Sequence, residues 1–229
     1  MKRVVIEELL DSDDGTPEEV AASLADLRMI NRTFGGARTT TALLRRAAKG
    51  TEGRQFHHLE VAAGSGDVPL YAARSLARQG LSLSVTVLDR SATHLPRQTA
   101  ASLNAIRVNA VAGDALALPF GDRAFDFVGC SLFVHHLEPA QVQAFAAEAL
   151  RVARVAVVIN DLVRSPLHLA LVYAGTPLYR SRLTRHDAPA SVKRAYTPDE
   201  LRSLLTGCGA ARIEFSSHYL CRMGVLLWK

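Results

Sequence analysis

Short apolar segments alternate with amphipathic segments through the middle of the chain. From residue 57 onward, runs that are apolar and partly β-branched predict strands, and the stretches between them, where apolar residues recur every three or four positions, predict helices. The predicted strands are 58–62, 83–88, 107–111, 125–130 and 155–159, and the predicted helices are 68–79, 91–101 and 139–151. Repeated strand-helix units pack as a parallel sheet with helices on both faces, which predicts an α/β protein.

The segments on either side of this core have different patterns. Thr16 and Glu19 have the spacing of a capping box, with Pro17 at the first helical position, and predict a helix that ends at Phe34-Gly35-Gly36; a second amphipathic stretch covers 38–48. After the fifth strand, a proline-interrupted insertion occupies 161–195. A second capping box at 197–200 starts a helix to 205, and the runs 212–216 and 222–228 are close enough to form a hairpin at one edge of the sheet.

Composition excludes several classes of protein. The chain has 229 residues, of which 48% are hydrophobic and 21% charged, and it contains no apolar run near the ~18–20 residues of a membrane span. Disorder and a transmembrane topology are therefore disfavoured. The first apolar stretch runs at once into acidic residues, unlike a secretory signal, so we expect a cytoplasmic protein. Three widely spaced cysteines without a CxxC pair give no indication of a disulfide framework or a metal site.

Charge is unevenly distributed along the chain. The net charge of +5 is compatible with nucleic acid or with anionic small molecules as partners. Acidic residues are concentrated at the start, at Glu7, Glu8, Asp11, Asp13, Asp14, Glu18 and Glu19. Basic residues are concentrated late, at Arg164, Arg180, Arg182, Arg185, Lys193 and Arg194.

The strongest chemical signal is a small-residue turn after the first strand. The strand ends near Glu60, and the turn contains Ala62, Gly64 and Gly66 before the next helix begins. In an open α/β sheet, ligands bind at the carboxyl ends of the strands, and small residues let a ligand approach the backbone. The third glycine of a dinucleotide fingerprint is missing, and the Glu60 carboxylate would repel a diphosphate. By itself, Gly64-Ser-Gly66 is equally compatible with a plain tight turn.

Acidic residues also end the next two strands. Asp89 follows the second strand, where a carboxylate can accept hydrogen bonds from a ribose diol, and Asp114 follows the third. Chance would scatter acids among helices and loops, so three acids at successive strand ends indicate a ligand site.

With these motifs, the chain resembles the class I S-adenosylmethionine-dependent methyltransferases, in particular the small-molecule branch that includes the ubiquinone and menaquinone enzymes. The motifs that carry the resemblance are 60–66, Leu88-Asp89, 113–120 and 125–128. The family implies a Rossmann-like sheet of seven strands with helices on both faces, a helical lid at 1–52, and a methyltransferase domain at 53–229 with 161–195 as a substrate-side insertion. One departure is Ala62, where the family usually has glycine.

The resemblance assigns residues to an S-adenosylmethionine site. Gly64 and Gly66 contact the methionine portion, Asp89 the ribose, Asp114 and Ala115 the adenine edge, and Glu60 the ammonium or a water network. Arg90 flanks the adenine or is simply solvated. The whole predicted cofactor set is Glu60, Ala62, Gly64, Gly66, Asp89, Arg90, Gly113, Asp114, Ala115 and Ser131.

The predicted acceptor site is less constrained. His135 and His136 follow the fourth strand at the mouth of the donor site, where a histidine can accept the proton of a phenolic or enolic substrate; the alternative is that they only pack in the pocket. The insertion and the junction 31–36 are expected to form opposite walls, with Arg180, Arg182 or Arg185 near an anionic substituent, although an amphipathic helix with a solvated basic face explains the insertion equally well. The predicted substrate residues are Arg32, Phe34, His168 and Tyr173.

These features favour methyl transfer from S-adenosylmethionine to oxygen of a small aromatic, phenolic or polyketide-like acceptor. Carbon methylation of a quinol precursor is the alternative. Nucleic-acid methylation is disfavoured because the fourth strand continues as Cys130-Ser131-Leu132-Phe133, without the Asn/Asp-Pro-Pro-aromatic sequence that holds a flipped base. A non-catalytic binding domain would have no need of Asp89, Asp114 and the glycine turn together. The sequence gives no oligomeric state.

Overall fold

In the computed structural model of the chain, residues 1–11, 15–95, 106 and 108–229 are described. Within these residues, seven strands form one sheet in the order β3-β2-β1-β4-β5-β7-β6. The strands are β1 Gln55–Val61, β2 Ser82–Asp89, β3 Val108–Ala112, β4 Phe125–Ser131, β5 Ala153–Leu162, β6 Arg212–His218 and β7 Arg222–Trp228. The helices are α1 Pro17–Thr33, α2 Gly36–Lys49, α3 Asp67–Ala77, α4 Pro139–Val152, α5 Pro166–Gly175, α6 Arg182–Arg194 and α7 Pro198–Leu205.

The sheet has the predicted topology. β1 to β5 are parallel, and the C-terminal hairpin adds β7 antiparallel to β5, with β6 outside it. Reversal of strand order between β1 and β4 creates a crevice at the carboxyl ends of these strands, which is where open α/β sheets bind ligands. The predicted α/β fold with a seven-stranded sheet and helices on both faces is confirmed.

Two hydrophobic layers hold the helices on the sheet. On one face, α4 and α7 pack against β1, β4 and β5 through residues such as Phe145 and Leu201. On the other face, α2 and α3 pack through residues such as Leu44 and Leu76. Helix α2 is therefore part of the core, whereas α1 lies outside these two layers. Both helices belong to the segment predicted as a lid, and its boundary at residue 52 stays a prediction.

Helix α1 begins with the predicted capping box, Thr16 Oγ1 accepting from the Glu19 backbone N–H and Glu19 accepting from that of Thr16. Its two buried residues are polar, Ser23 and Asp26. Asp26 Oδ2 accepts from the backbone N–H groups of Arg180 and Ser181, at 2.8 and 2.9 Å, and so fixes the start of α6 against α1. Leu24 and Leu27, which recur at helical spacing in α1, line a cavity.

Other boundaries differ from the predictions in informative ways. Asp161 and Leu162 are the last residues of β5, so the insertion begins after them because the strand continues alongside β7. Of the helix predicted at 91–101, residues 91–95 form turns and 96–101 lie outside the described residues, as does residue 107 at the predicted start of the third strand. No helix in the described parts of the chain is long and apolar enough to cross a membrane.

Residues 1–11, here called the N-terminal strap, cross the top of the α4 and α6 region. Val4 N donates to Lys193 O at 3.0 Å, and Arg3 donates to Arg194 O and Leu137 O. Farther along, the backbone N–H groups of Leu9 and Leu10 donate to the Asp187 carboxylate at 2.8 and 3.1 Å. These contacts hold the acidic end of the strap over the crevice.

Candidate functional site

The turn after β1 adopts an unusual backbone conformation. Ala62, Gly64 and Gly66 all have positive φ, of 53°, 50° and 72°. Glycine adopts this region at no steric cost, whereas alanine is strained there. A Cβ placed on Gly64 would meet only Leu24 at 4.0 Å, so the turn exposes its backbone to the cavity. Gly66 is the N-cap of α3.

Asp89 ties this turn to β2. Its Oδ2 accepts from Gly64 N at 2.8 Å, and its Oδ1 accepts from Ser91 N at 3.0 Å. A carboxylate has about four acceptor positions, so both oxygens keep capacity for further donors such as two hydroxyl groups. The backbone carbonyl of Asp89 also accepts from Gly113 N at 3.0 Å, which brings the β3 turn beside it.

Asp114 is exposed and shapes its own turn, with Oδ1 accepting from Leu116 N at 2.9 Å. Like Gly113, Ala115 and Arg90, it lines the cavity described below. The β3 turn thus contributes a carboxylate and two small residues to the cavity lining.

Glu60 lies below the turn in a buried polar network. It is 1% exposed, its Oε2 is 2.8 Å from His58 Nε2, and its Oε1 accepts from Ser131 Oγ at 2.7 Å. Ser131 Oγ lies 3.1 Å from Thr40 Oγ1, which accepts from Asn160 Nδ2 at 2.9 Å. This network crosses β1, β4, β5 and α2, and it fixes the floor of the crevice.

A single cavity of about 770 Å³ joins these groups, which is within the range of about 300–1,000 Å³ typical of small-molecule sites. Twelve of the predicted site residues line it: Glu60, Ala62, Gly64, Asp89, Arg90, Gly113, Asp114, Ala115, Ser131, His135, His136 and His168.

The remaining predicted residues lie elsewhere. Tyr173 is 52% exposed on α5, Arg32 is exposed in the last turn of α1, and Phe34 caps that helix. Neither these three nor Gly66 line the cavity, and the same holds for the basic residues that were expected near an anionic substituent, Arg180, Arg182 and Arg185. Arg182 is paired with Glu19, and Arg185 donates to Tyr179 O.

The two histidines after β4 are held by carboxylates. His135 is 2% exposed, and its Nδ1 donates to Asp161 Oδ1 at 2.7 Å. His136 Nδ1 donates to Asp11 Oδ2 at 2.7 Å. Glu8 Oε1 lies 3.6 and 3.9 Å from the Nε2 atoms of the two rings.

Burial and the neighbouring charges have opposite effects on the pKa values of His135 and Asp161. Burial alone would lower the pKa of His135, but Asp161 and Glu8 raise it to about 10. Burial opposes ionisation of Asp161, yet the His135 charge and hydrogen bonds from two backbone N–H groups hold its pKa below the usual range.

Sequence analysis missed Glu8, Asp11, Asp161 and Arg222, which all line the cavity or contact its histidines. Asp161 could have been found, because it lies near the end of the fifth strand just as Asp89 ends the second. Arg222 is 2% exposed, and its Nη2 donates to Asn31 Oδ1 at 3.1 Å. Among the described residues, its Nη1 has no hydrogen-bond partner, and burial lowers its pKa to about 10.

This geometry defines a class of protein. A parallel sheet with a C-terminal antiparallel hairpin, a strained small-residue turn after β1 and an acid ending β2 is the arrangement of the class I methyltransferase fold, as the sequence motifs predicted.

Comparisons with known proteins agree. Residues 59–155 match the family model described as a methyltransferase domain. A stretch of 148 residues is 33% identical to the ubiquinone/menaquinone biosynthesis C-methyltransferase of Methylobacterium nodulans, covering 62% of this chain and 57% of that protein. The chain thus spans little more than half the length of this curated relative. The predicted methyltransferase domain is thus confirmed over residues 59–155.

Solved structures are similar in fold. A plantazolicin methyltransferase in complex with a substrate analogue aligns with a TM-score of 0.68 and 15% identity, over 96% of this chain and 92% of that one. An O-methyltransferase family 2 protein from Planctomyces limnophilus, in complex with apigenin, aligns with a TM-score of 0.63 and 18% identity, over 94% of this chain and 63% of that one.

Proposed function

We propose that the chain transfers a methyl group from S-adenosylmethionine to oxygen of a small aromatic, phenolic or polyketide-like acceptor. The observation that carries this proposal is the single cavity, which is lined both by Asp89 and the exposed Gly64 backbone and by Arg222, His168 and the histidine pair. We assign the donor to the part with Asp89 and the acceptor to the part with Arg222 and His168, here called the donor end and the acceptor end.

The donor end suits a nucleoside with a cationic amino-acid side chain. Asp89 accepts the ribose hydroxyls, while the exposed backbone of the turn allows the methionine portion to approach closely. Asp114, Ala115 and Arg90 lie where the adenine would bind. Bound there, S-adenosylmethionine supplies an electrophilic methyl group, and the chain supplies alignment and exclusion of water.

The acceptor end favours a substrate with a developing or full negative charge on oxygen. Among the described residues the Nη1 of Arg222 has no hydrogen-bond partner, and His168 also lines the cavity, so both are polar groups that an acceptor can contact; Leu24 and Leu27 of α1 are apolar lining residues. A buried arginine stabilises a phenolate or an enolate, which are the nucleophilic forms of the proposed acceptors. Tyr173, Arg32 and Phe34 lie outside this cavity, so for the acceptor we keep His168 from the predicted residues and add Arg222.

Carbon methylation of a quinol precursor is the second candidate, and it rests on the similarity to a C-methyltransferase. Oxygen and carbon of an enolate are both nucleophiles, so the same Arg222 contact serves either reaction. Mass spectrometry of the methylated product distinguishes them.

Binding of the donor is tested with Asp89→Ala. Removing a charge-assisted pair of hydrogen bonds costs roughly 1.5–3 kcal/mol, so calorimetry should show affinity for S-adenosylmethionine reduced by about 10- to 150-fold. Asp199→Ala, an exposed acid at the start of α7, is the control and should bind as the wild type. Unchanged affinity in a folded Asp89→Ala protein would refute the donor assignment.

The acceptor is tested by incorporation of labelled methyl groups into a panel of phenols, quinols and RNA at low and moderate salt. We expect turnover of a phenol or quinol that changes little with salt, because no row of phosphates is neutralised. Salt-sensitive methylation of RNA without turnover of any phenol would overturn the acceptor proposal, since phosphate-driven binding weakens steeply with salt.

A further inference from the structure

The strap and the β4 end build a group of side chains that methyl transfer does not require. Glu8, His135 and His136 each offer one ligand atom, and these atoms lie within 4.8 Å of one another. No local motif indicates this group, because Glu8 is more than 120 residues away from the histidines along the chain. Two imidazoles and one carboxylate are a common donor set for divalent transition metals.

The histidines are oriented as metal ligands are. Each uses Nδ1 to donate to a carboxylate, His135 to Asp161 and His136 to Asp11, both at 2.7 Å. Metal-bound histidines usually donate their second ring N–H to such a partner, which fixes the ring and turns the other nitrogen toward the ion. Here both Nε2 atoms consequently point toward Glu8.

The distances leave room between the three ligand atoms. Glu8 Oε1 is 3.6 Å from His135 Nε2 and 3.9 Å from His136 Nε2, which is longer than a normal hydrogen bond. A tetrahedral ion with bonds of about 2.0–2.2 Å holds its ligands about 3.3–3.6 Å apart. Small side-chain rotations therefore bring the three atoms into coordination distance.

The buried nitrogen of His135 supplies a second observation. His135 is 2% exposed, and among the described residues its Nε2 has no hydrogen-bond partner; the Glu8 carboxylate lies 3.6 Å away, beyond hydrogen-bond distance. Burying such an atom is costly, and a bound cation would satisfy it. Glu8 is itself oriented by Ser191, whose hydroxyl donates to Oε1 at 2.7 Å.

Charge around the group also favours a cation. Three carboxylates, Glu8, Asp11 and Asp161, surround two imidazoles. Two arginines contact the backbone of the histidines and not their rings: Arg194 donates to the His136 carbonyl, and Arg3 donates to the His135 carbonyl. A divalent ion between the rings would balance the carboxylates.

We propose that Glu8, His135 and His136 bind a divalent transition-metal ion such as Zn²⁺, with Asp161, Asp11 and Ser191 orienting the three ligands. All three ligands line the cavity. The fourth position of a tetrahedral ion is thus left for a water molecule or an oxygen atom of an acceptor. This proposal can be tested independently of the proposed methyl transfer, because metal binding is measured without donor or acceptor.

The test is competition between the metal-free protein and a chromophoric chelator for Zn²⁺, repeated with Co²⁺ for its visible spectrum. We expect one equivalent to bind, and Glu8→Gln and His136→Asn each to weaken binding by at least tenfold. Asp11→Asn should weaken it by about 10- to 100-fold, the usual effect of removing such a partner. Asp11 is exposed, so this variant is expected to fold even if a change at buried His135 does not.

His57→Asn is the matched control, because His57 is exposed at the opposite end of β1 and should leave affinity unchanged. Circular dichroism confirms that each variant is folded. The proposal is overturned if the wild type binds no stoichiometric Zn²⁺ or Co²⁺, or if all variants bind as it does; His135 and Asp161 would then be only a buried ion pair. This outcome would leave S-adenosylmethionine binding at Asp89 untouched.

Discussion

Gly129 in β4 is the position at which the buried network under the site is most sensitive to a single methyl group. A Cβ at Gly129 would lie 2.6 Å from His58 Cε1 and 2.9 Å from Glu60 Oε2. Both side chains are at most 1% exposed, and they are joined to each other at 2.8 Å. Neither can move without breaking that contact or the hydrogen bond from Ser131 to Glu60.

The expected cost of Gly129→Ala follows from these contacts. Overpacking a core costs about 1–3 kcal/mol, and losing a buried hydrogen bond to a carboxylate adds about 1.5–3 kcal/mol. The free energy of unfolding should therefore fall by about 2.5–6 kcal/mol. At roughly 2–4 °C per kcal/mol for a chain of this size, the melting temperature should fall by at least about 5 °C.

The assay is urea and thermal unfolding followed by circular dichroism. Gly121→Ala is the control: Gly121 is exposed, nothing lies within 4 Å of its added Cβ, and the substitution should change stability by no more than about 1 kcal/mol. In a His58→Ala background the methyl group gains space, so the penalty of Gly129→Ala should shrink by about 0.5–3 kcal/mol. Wild-type stability of Gly129→Ala, or an equal penalty in both backgrounds, would refute the reasoning.

Two further predictions concern α1 and the turn after β1. Asp26→Ala removes the acceptor for the N–H groups of Arg180 and Ser181, and it should lower the free energy of unfolding in urea by about 1–3 kcal/mol; a loss below ~0.5 kcal/mol would contradict the role given to Asp26. Ala62→Gly relieves a positive φ of 53°, worth about 1–2 kcal/mol, against about 0.4–1 kcal/mol of added unfolded-state entropy. The same denaturation should show a change between about zero and a gain of about 1.6 kcal/mol, and a clear loss would show that the turn is not strained.

Local patterns in the sequence were sufficient for the sheet and for several residues that line the cavity. Strand and helix periods differ, so the pattern alone predicts β1 to β5 together with helices α3 and α4. The parallel topology itself then places the acids that end successive strands at one edge of the sheet. Asp89 and Asp114 line the cavity for this reason. Their ligand roles stay predictions.

The acceptor side depends on contacts that have no local signature. The helical spacing of Leu24 and Leu27 predicts that α1 makes an apolar contact, but it does not show whether the core or a cavity provides that contact. The contact of buried Asp26 with the start of α6 decides between the two, and no local pattern predicts it. Arg222 follows a hairpin turn and gives no sign in the sequence that it is buried. Arg180, in contrast, lies in a basic run and is exposed.

The N-terminal strap also has a consequence for how the chain folds during synthesis. Its partners are 125 residues away for Asp11, 178 for Leu9 and 191 for Arg3. At translation rates of about 5–20 residues per second, these first residues wait roughly 6–38 s before their partners exist. The sheet from β1 to β4 can form in that interval, while the carboxylates of the strap stay in water. We therefore expect the N-terminal strap to cover the cavity as one of the last events of folding, after most of the core has formed.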